Sequence, residues 1–361
     1  MTESTVEALG VCVALKIPAL LWGAPGTGKS SLLKAVAEQL SLPCEVVISS
    51  VREPSDFAGL PIILDGQMSF APPRWALRLA AAGQGLLFLD EVTTAPPAVQ
   101  AALLRVVLDR VVGDLALPAD VAIVAAANPP EQASDGWDLS APLANRFVHL
   151  DWNTSAPSFA SGLLSEWSTP PVLDVPDTWR NGLPTARALV AAFVQSRPNM
   201  LCAVPTGADS GRAWPSPRSW SMLTDLWAAA SAAQVSEDAR ALLARGTVGT
   251  GAAMEFLTFV SEADLMDPED ALANPQEMAI PERADRVYAM LGAIVAAVLS
   301  ENTAARWEAA WEVLARVGST RPDVAAMAAK LLAEHRPANA RVPESVSTFA
   351  PLLKRAGLLA S

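Results

Sequence analysis

The sequence predicts an α/β fold, in which a parallel β-sheet covered by helices has a hairpin insert and is followed by an all-helical domain. Three observations lead to this prediction. Short apolar runs alternate with helix-spaced patterns over residues 1–152, an Asp65-Gly66 pair separates two apolar runs, and only helical periodicity continues after Pro184. Alternation of this kind is typical of a parallel sheet with helices on both faces.

The strands are predicted from short apolar runs, because a buried parallel strand is a nearly continuous apolar segment. Five segments fit that description: Pro18–Trp22, Glu45–Val51, Gly85–Asp90, Val121–Ala127 and Phe147–Trp152. Helical spacing lies between them, over Lys29–Leu40 and Pro97–Val112. The Asp-Gly pair predicts a β-hairpin, formed by Leu60–Leu64 and Gln67–Phe70, that projects from the sheet domain.

The predicted division of the chain follows from these patterns and from composition. An α/β domain over 1–152 is followed by a linker over 153–184, which is rich in Ser, Thr and Pro and includes some helix near Phe159–Trp167. A helical domain then covers 185–335, and a tail covers 336–361. The predicted helices of the helical domain are Thr185–Gln195, Ser219–Gln234, Glu237–Arg245, Ala252–Ser261, Pro281–Leu299, Thr303–Val317 and Arg321–Glu334.

Composition narrows the classes of function. The formal net charge is -12, and phosphate backbones repel an acidic chain, so general nucleic-acid binding is not expected. Three distant cysteines and two histidines give neither metal-ligand spacing nor a disulfide framework. The N-terminus lacks a basic start, and no apolar stretch approaches the ~20 residues of a membrane helix. We therefore expect a cytoplasmic protein without membrane association.

Residues Gly23–Ser30 fit the pattern G-x-x-x-x-G-K-[ST] and lie between a predicted strand and a predicted helix, as that motif requires. The glycines let successive N–H groups point at phosphate oxygens, and the following helix adds the positive end of its dipole. Lys29 is expected to reach the β- and γ-phosphates and the Ser30 hydroxyl to bind magnesium. The expected nucleotide-binding residues are Gly23, Ala24, Pro25, Gly26, Thr27, Gly28, Lys29, Ser30 and Ser31.

Asp90-Glu91 closes the third predicted strand, at the edge of the sheet where the phosphate loop lies. Asp90 is expected to hold magnesium together with Ser30, and Glu91 to orient and deprotonate the attacking water. The alternative for the pair is a helix N-cap, which the upstream phosphate loop disfavours.

Two further polar residues lie beside predicted strands. Asn128 ends the fourth strand, where its amide can bond the γ-phosphate or the attacking water, and the alternative is a turn-forming Asn before Pro129. Arg146 precedes the fifth strand, where a planar cation suits developing phosphate charge, and the alternative is a surface arginine. Spacing alone does not decide between these interpretations.

Taken together, these motifs resemble an AAA+ ATPase, with Walker A at Gly23–Ser30, Walker B at Leu86–Glu91 and the later segment Leu143–Phe147. More narrowly, the chain resembles the MoxR group, whose hallmarks are found at Ser55–Gly59, the Asp65-Gly66 hairpin, Asp90–Leu104 and Ser216–Trp220. The resemblance is dense over residues 1–155 and limited to the last motif in the helical half. Glu91–Thr94 and Asn145–Phe147 depart from the usual pattern and indicate a divergent branch.

The resemblance implies the cofactors ATP and Mg²⁺ and roles for single residues. Asn128 would be sensor 1, Arg146 the arginine finger acting on ATP of a neighbouring subunit, and Arg218 the sensor 2 residue reaching the γ-phosphate from the helical lid domain. With Lys29 and Glu91 they form the expected catalytic set. Arg105, and also Arg110, are the alternatives to Arg146 at the subunit interface. A trans-acting finger implies a homo-oligomeric ring, most often a hexamer.

For the whole chain, the resemblance implies a Mg-dependent ATPase that acts as a chaperone-like remodeller of a protein partner. The hairpin would face that partner, and a von Willebrand factor A domain protein is a candidate for it. One alternative is a nucleic-acid motor or loader with the same ATPase core, which the net charge of -12 disfavours. Another is a scaffold that binds ATP but hardly hydrolyses it, against which Asp90, Glu91 and Arg146 argue.

Overall fold

The computed structural model describes residues 3–129, 136–164, 173–205, 211–263, 267–355 and 358. The chain divides into two compact units that alternate along the sequence. The first unit consists of Met1–Asp177 and Cys202–Ala253, and the second consists of Thr178–Leu201 and Met254–Ser361. The segment predicted as one helical domain, 185–335, therefore contributes to both units.

The first unit is built on a five-stranded sheet in which all neighbouring strands are parallel. The strands in the described residues are β1 (Ala19–Trp22), β2 (Cys44–Ile48), β3 (Leu60–Leu64), β4 (Gln67–Ala71), β5 (Gln84–Asp90), β6 (Val111–Val112), β7 (Leu115–Ala116), β8 (Asp120–Ala127) and β9 (Val148–Asp151). The sheet has the order β2-β5-β8-β1-β9. The predicted parallel sheet is thus confirmed, and β1, β5 and β8 end side by side at one edge.

Helices account for most of the other regular structure in the described residues. They are α1 (Glu3–Leu15), α2 (Lys29–Gln39), α3 (Ser55–Ala58), α4 (Arg74–Ala82), α5 (Pro97–Asp109), α6 (Ala141–Ala144), α7 (Ala156–Leu164), α8 (Leu183–Ser196), α9 (Pro217–Ala232), α10 (Glu237–Val248), α11 (Thr250–Ala263), α12 (Pro268–Ala273), α13 (Ala284–Ser300), α14 (Ala304–Gly318), α15 (Pro322–Glu334) and α16 (Ala350–Arg355). No helix in this part of the chain combines the length and apolar character that crossing a bilayer requires.

The predicted helix Pro97–Val112 is wrong at its C-terminal end. The helix stops at Asp109, because Arg110 adopts a left-handed φ of 55° and Val111–Val112 pairs with the short strand β7 instead. The Arg110 guanidinium donates hydrogen bonds to the carbonyl oxygens of Pro118, Ala119 and Val121. These bonds hold the turn, so Arg110 has a local structural role.

The hairpin insert is confirmed with the predicted turn. Leu64 pairs with Gln67 across Asp65 and Gly66, whose φ angles are 51° and 78°. Both values are left-handed, which is why an Asp-Gly pair favours this tight connection. The whole of β3 is exposed, including Ile63, whose side chain is 80% exposed.

Helices α9 and α10 pack within the first unit. Gly246 of α10 approaches β9 so closely that a Cβ on it would lie 2.3 Å from the His149 carbonyl oxygen. The second unit contains α8, α12–α16 and most of α11, and its core includes Trp307, Trp311 and Phe349. The tail over 336–361 contributes Phe349 to that core, while part of the predicted linker, 165–172, lies outside the described residues.

Candidate nucleotide-binding site

The loop between β1 and α2 has the backbone geometry of an anion cradle. Gly26 and Gly28 adopt left-handed φ angles of 76° and 88°, which a residue with a side chain rarely takes. Left-handed residues alternating with right-handed ones turn consecutive N–H groups toward a common centre. Lys29 begins α2, so the N-terminus of a helix lies directly behind this loop.

The loop is held in place by Trp152, the residue that follows β9, and β9 pairs with β1. Trp152 Nε1 donates a hydrogen bond of 3.1 Å to the Thr27 carbonyl oxygen, and Thr27 Oγ1 donates one of 2.7 Å to the Ala24 carbonyl oxygen. A Cβ on Gly23 would lie 2.6 Å from the Trp152 carbonyl oxygen. The first glycine of the motif is therefore required by close approach of two backbones.

Lys29 is a buried cation, with a side chain that turns back over the loop. Its Nζ donates hydrogen bonds of 2.6 Å and 2.9 Å to the carbonyl oxygens of Gly23 and Ala24. Burial lowers the pKa of Lys29, and the nearby carboxylates of Asp90 and Glu91 oppose that shift. The positive charge thus lies at the mouth of the loop, in reach of both acidic residues.

The acidic pair lies at the end of β5, next to the loop. Ser30 Oγ donates a hydrogen bond of 3.0 Å to Asp90 Oδ2, and the Glu91 backbone N–H donates one of 3.0 Å to Asp90 Oδ1. Glu91 has a left-handed φ of 56°. This conformation is costly for a residue with a side chain and is typical of functional sites. Ser50 Oγ, beyond the end of β2, donates a hydrogen bond to Glu91 Oε2.

The loop and the acidic pair line one cavity of about 280 Å³. Its lining consists of the loop, the acidic pair and the residue after β8: Pro25, Gly26, Thr27, Gly28, Lys29, Ser30, Ser31, Asp90, Glu91 and Asn128. A concavity of about 360 Å³ in the second unit is larger, but it lacks a lysine or a phosphate-type loop. Of the predicted nucleotide-binding residues, Gly23 and Ala24 are not part of this lining and the others are, and the predicted roles stay predictions.

The predicted arginines lie elsewhere in the first unit. Neither Arg146 nor Arg218 lines the cavity of its own chain. Arg146 donates a hydrogen bond to the Pro142 carbonyl oxygen, and its pKa is lowered by burial and by nearby Arg218, while Asp109 opposes the shift. Arg218 is an exposed residue in the first turn of α9, and Arg105 is exposed on α5. Arg146 and Arg218 therefore form a cationic edge apart from the cavity.

Two features beneath the site escaped the sequence analysis. Ser50 has no motif of its own, because its contact with Glu91 spans 41 residues and depends on the pairing of β2 with β5. The second feature is a buried pair: Trp22 Nε1 donates a hydrogen bond of 2.8 Å to His149 Nδ1, and His149 Nε2 donates one of 2.9 Å to the Ala144 carbonyl oxygen. Burial lowers the pKa of His149 to about 4.

Part of the chain is similar to a family model and to a curated protein. Residues 18–147 match the model of the AAA domain (dynein-related subfamily). The chain is 33% identical over 138 residues to a Nif-specific regulatory protein of Sinorhizobium fredii, a match that covers 35% of this chain and 23% of that protein. The chain thus spans about a quarter of the length of this curated relative.

Among solved structures, the chain is similar to the crystal structure of a putative ATPase from Cytophaga hutchinsonii. The TM-score is 0.45 at 15% identity, over 71% of this chain and 88% of that chain. The narrower resemblance to the MoxR group stays a prediction. Residues 18–147 thus match the AAA domain model, and the parallel sheet with its phosphate loop has the AAA+ P-loop fold.

Proposed function

We propose that this chain binds ATP with Mg²⁺ and hydrolyses it. The observation that supports this most directly is the single cavity in which Lys29, Ser30, Asp90 and Glu91 meet. A cation for the phosphates, oxygen ligands for a metal and a carboxylate for water are the groups that phosphoryl transfer to water needs. An AAA domain accounts for ATP as the nucleotide.

The polar groups at the cavity fit Mg²⁺ in their chemistry. Ser30 and Asp90 offer hard oxygen ligands, and their hydrogen bond of 3.0 Å shows that both reach one point. Mg²⁺ is commonly bound by one or two protein groups together with substrate phosphates and waters. This agrees with the finding that the described residues contain no cluster of three acidic, His or Cys ligands. When bound, the metal would neutralise charge on the phosphates.

The chain's own residues bind the phosphates, orient the attacking water and accept its proton. Backbone N–H groups of Gly26–Ser30 and the Lys29 ammonium hold the phosphates in place. Glu91, held by Ser50, orients water and accepts its proton. Asn128 lines the same cavity from the end of β8, where its amide can bond the attacking water or the γ-phosphate.

Fast turnover further needs a cation beside the charge that develops on the phosphates in the transition state. Arg146 and Arg218 do not line the cavity of their own copy. We therefore propose that they act on the nucleotide of a neighbouring copy in a homo-oligomeric ring, hexameric by its resemblance to MoxR-type proteins. Head-to-tail interfaces of this kind close into rings. Such a trans-acting arginine is worth ~10³-fold or more in turnover in related phosphoryl transfers.

The hairpin supports a role in remodelling a protein partner. Its exposed apolar side chains are Leu60, Ile62, Ile63, Leu64, Met68 and Phe70. Exposed apolar groups clustered on one projection mark interaction surfaces. We propose that the ring uses ATP hydrolysis to act on a protein partner through this hairpin, with a von Willebrand factor A domain protein as the first partner to test.

The proposal is tested with Glu91→Gln, which keeps the shape of the side chain but removes the base. Expected results are unchanged binding of Mg-ATP, turnover lower by ~10²-fold to 10⁴-fold, and a higher assembled fraction with ATP present. Glu38→Gln, an exposed position on α2, is the matched control and should leave turnover unchanged. Normal turnover in Glu91→Gln would overturn the assignment of the base.

A further inference from the structure

A buried asparagine connects the two arginines of the cationic edge. Asn145 directly precedes Arg146, and its side chain is 3% exposed. Its Nδ2 donates a hydrogen bond of 3.0 Å to the Trp214 carbonyl oxygen, and its Oδ1 accepts one of 2.7 Å from Ser216 Oγ. The nitrogen and the oxygen of this amide therefore both form hydrogen bonds to one segment, which lies about 70 residues further along the chain.

The segment that Asn145 grips is the start of α9. Ser216 is the N-cap residue of this helix: its Oγ accepts a hydrogen bond of 3.1 Å from the Ser219 backbone N–H, and its own N–H donates one of 2.8 Å to Ser219 Oγ. Ser219 Oγ also donates to the Trp214 carbonyl oxygen, at 3.0 Å. Arg218 lies inside this reciprocal cap, so the cap fixes the point from which its side chain leaves the helix.

We propose that Asn145 is a positioning residue that holds Arg146 and Arg218 together as one anion-binding pair. The inference rests on the proposed role of these arginines in ATP turnover. Its chemical target is the triphosphate bound to a neighbouring copy. Arg146 and Arg218 lie on separate elements, and the two hydrogen bonds of the Asn145 amide join those elements beside both arginines.

The charges at this edge fit an anionic ligand. No ion pair of Arg146 or Arg218 is found among the described residues, and Asp109 is the acidic side chain that acts on Arg146. Arg146 Nε is buried and has no hydrogen-bond partner within those same ranges. Two cations held close without neutralisation repel each other, and an anion between them would relieve that repulsion.

The residue type at 145 follows from the hydrogen bonds. An amide can donate to the Trp214 carbonyl oxygen and accept from the Ser216 hydroxyl at the same time, whereas an ionised carboxylate can only accept. Asn145→Asp would therefore place a buried negative charge against the Trp214 carbonyl oxygen and remove the hydrogen bond that joins the two segments, leaving that oxygen only its bond from Ser219 Oγ. The connection between the α6–β9 segment and α9 would loosen, and the arginine pair would lose its fixed spacing.

The test compares Asn145→Asp with Asn302→Asp, the same substitution at an exposed asparagine whose Nδ2 donates a hydrogen bond of 2.8 Å to the His335 carbonyl oxygen. Mg-ATP binding, steady-state turnover and the thermal midpoint are measured for both. In Asn145→Asp we expect a ~10-fold to 100-fold loss of kcat with unchanged Mg-ATP affinity, as misplaced catalytic groups cause. Asn302→Asp should keep the kcat of the unmodified chain.

A second measurement separates positioning from general damage to the fold. Asn145→Asp is mixed with Lys29→Ala, which has a dead cavity but an intact arginine pair. Turnover above the average of the two separate proteins is expected, because the intact pair serves the neighbour's cavity. Equal kcat for Asn145→Asp and the unmodified chain, or a loss that mixing does not restore, would overturn the proposal.

Two further variants complete the design. If Asn145→Asp does not fold, Ser216→Gly removes the hydroxyl partner while keeping a residue that helix N-caps tolerate, and the same loss and rescue are expected. Arg146→Ala serves as the reference for the proposed function. If Arg146→Ala keeps full turnover, the role of the arginines fails, whereas a defective Arg146→Ala beside a fully active Asn145→Asp rejects only the positioning role.

Discussion

The cavity around the phosphate loop and the cationic edge at Arg146 lie in one compact unit but differ in how their charges are balanced. In the cavity, the Lys29 cation lies near the carboxylates of Asp90 and Glu91, and each of these side chains has a hydrogen-bond partner. At the edge, burial and the nearby Arg218 cation lower the pKa of Arg146, while Asp109 opposes that shift. The charges of the cavity are paired within one copy, whereas Arg146 and Arg218 form no ion pair in the part of the chain that the structure describes. In the proposed ring, the triphosphate of an adjacent copy would supply the anion.

The largest expected effect tests the edge directly. Arg146→Ala should lower ATP turnover by about 10³-fold, because the developing charge on the phosphates loses its cation, while Mg-ATP binding stays unchanged. Turnover is measured for Arg146→Ala alone and in mixtures with Lys29→Ala. Recovery in the mixture is expected, since Lys29→Ala copies supply intact arginines to intact cavities.

Arg105→Ala provides the matched comparison, because Arg105 is also exposed in the first unit and is the alternative finger. It should keep turnover near that of the unmodified chain. A defect in Arg105→Ala that mixing restores, together with no recovery for Arg146→Ala, would move the trans-acting role to α5.

The sequence predicted the cavity better than it predicted the edge, and the reason is physical. The phosphate loop and the hairpin are set by local backbone demands: Gly26, Gly28 and Gly66 adopt left-handed φ angles. Residues at the ends of parallel strands, such as Asp90 and Asn128, meet because the sheet topology brings those ends together. Local patterns therefore determine most of the site.

The contacts that escaped prediction all join distant segments. The Asn145 amide meets the cap of α9 across 71 residues, and Ser50 meets Glu91 across 41. Gly246 fits against His149 of β9, which brings α10 into the first unit although its periodicity resembles that of the helices in the second. A hydrophobic pattern shows that a helix has a buried face, but it does not identify the surface that covers that face.

His149 joins the two regions and makes that junction sensitive to acid. One ring nitrogen accepts from Trp22, just before the phosphate loop, and the other donates to Ala144, just before Asn145. The pKa of His149 is lowered by burial to about 4, from an unfolded value of 6.5. Between these values the unfolded chain binds a proton that the folded chain does not, so stability falls as the pH falls from 6.5 toward 4.

The expected loss from this group is on the order of 3 kcal/mol at pH 4. It is measured as the free energy of unfolding in urea at several pH values, for the unmodified chain and for His149→Gln, whose side chain does not titrate. The gap between the two should change by that amount between pH 7.5 and pH 4. His335→Gln, at an exposed histidine, is the control and should follow the unmodified chain. A gap that is independent of pH would contradict the prediction.

The smallest effect concerns Ser50, which bonds to the base of the self-contained cavity. Ser50→Ala removes the hydroxyl that donates to Glu91 Oε2, so the carboxylate samples more orientations and meets water less often in the right geometry. We expect kcat to fall ~10-fold with unchanged Mg-ATP affinity, and Ser50→Thr, which keeps the hydroxyl, to restore it. Arg146→Ala and Ser50→Ala should differ in mixing experiments, because Lys29→Ala copies cannot supply a missing group inside another copy's cavity. A rise in kcat for Ser50→Ala would contradict this prediction. It would mean that the hydrogen bond from Ser50 keeps Glu91 away from the attacking water.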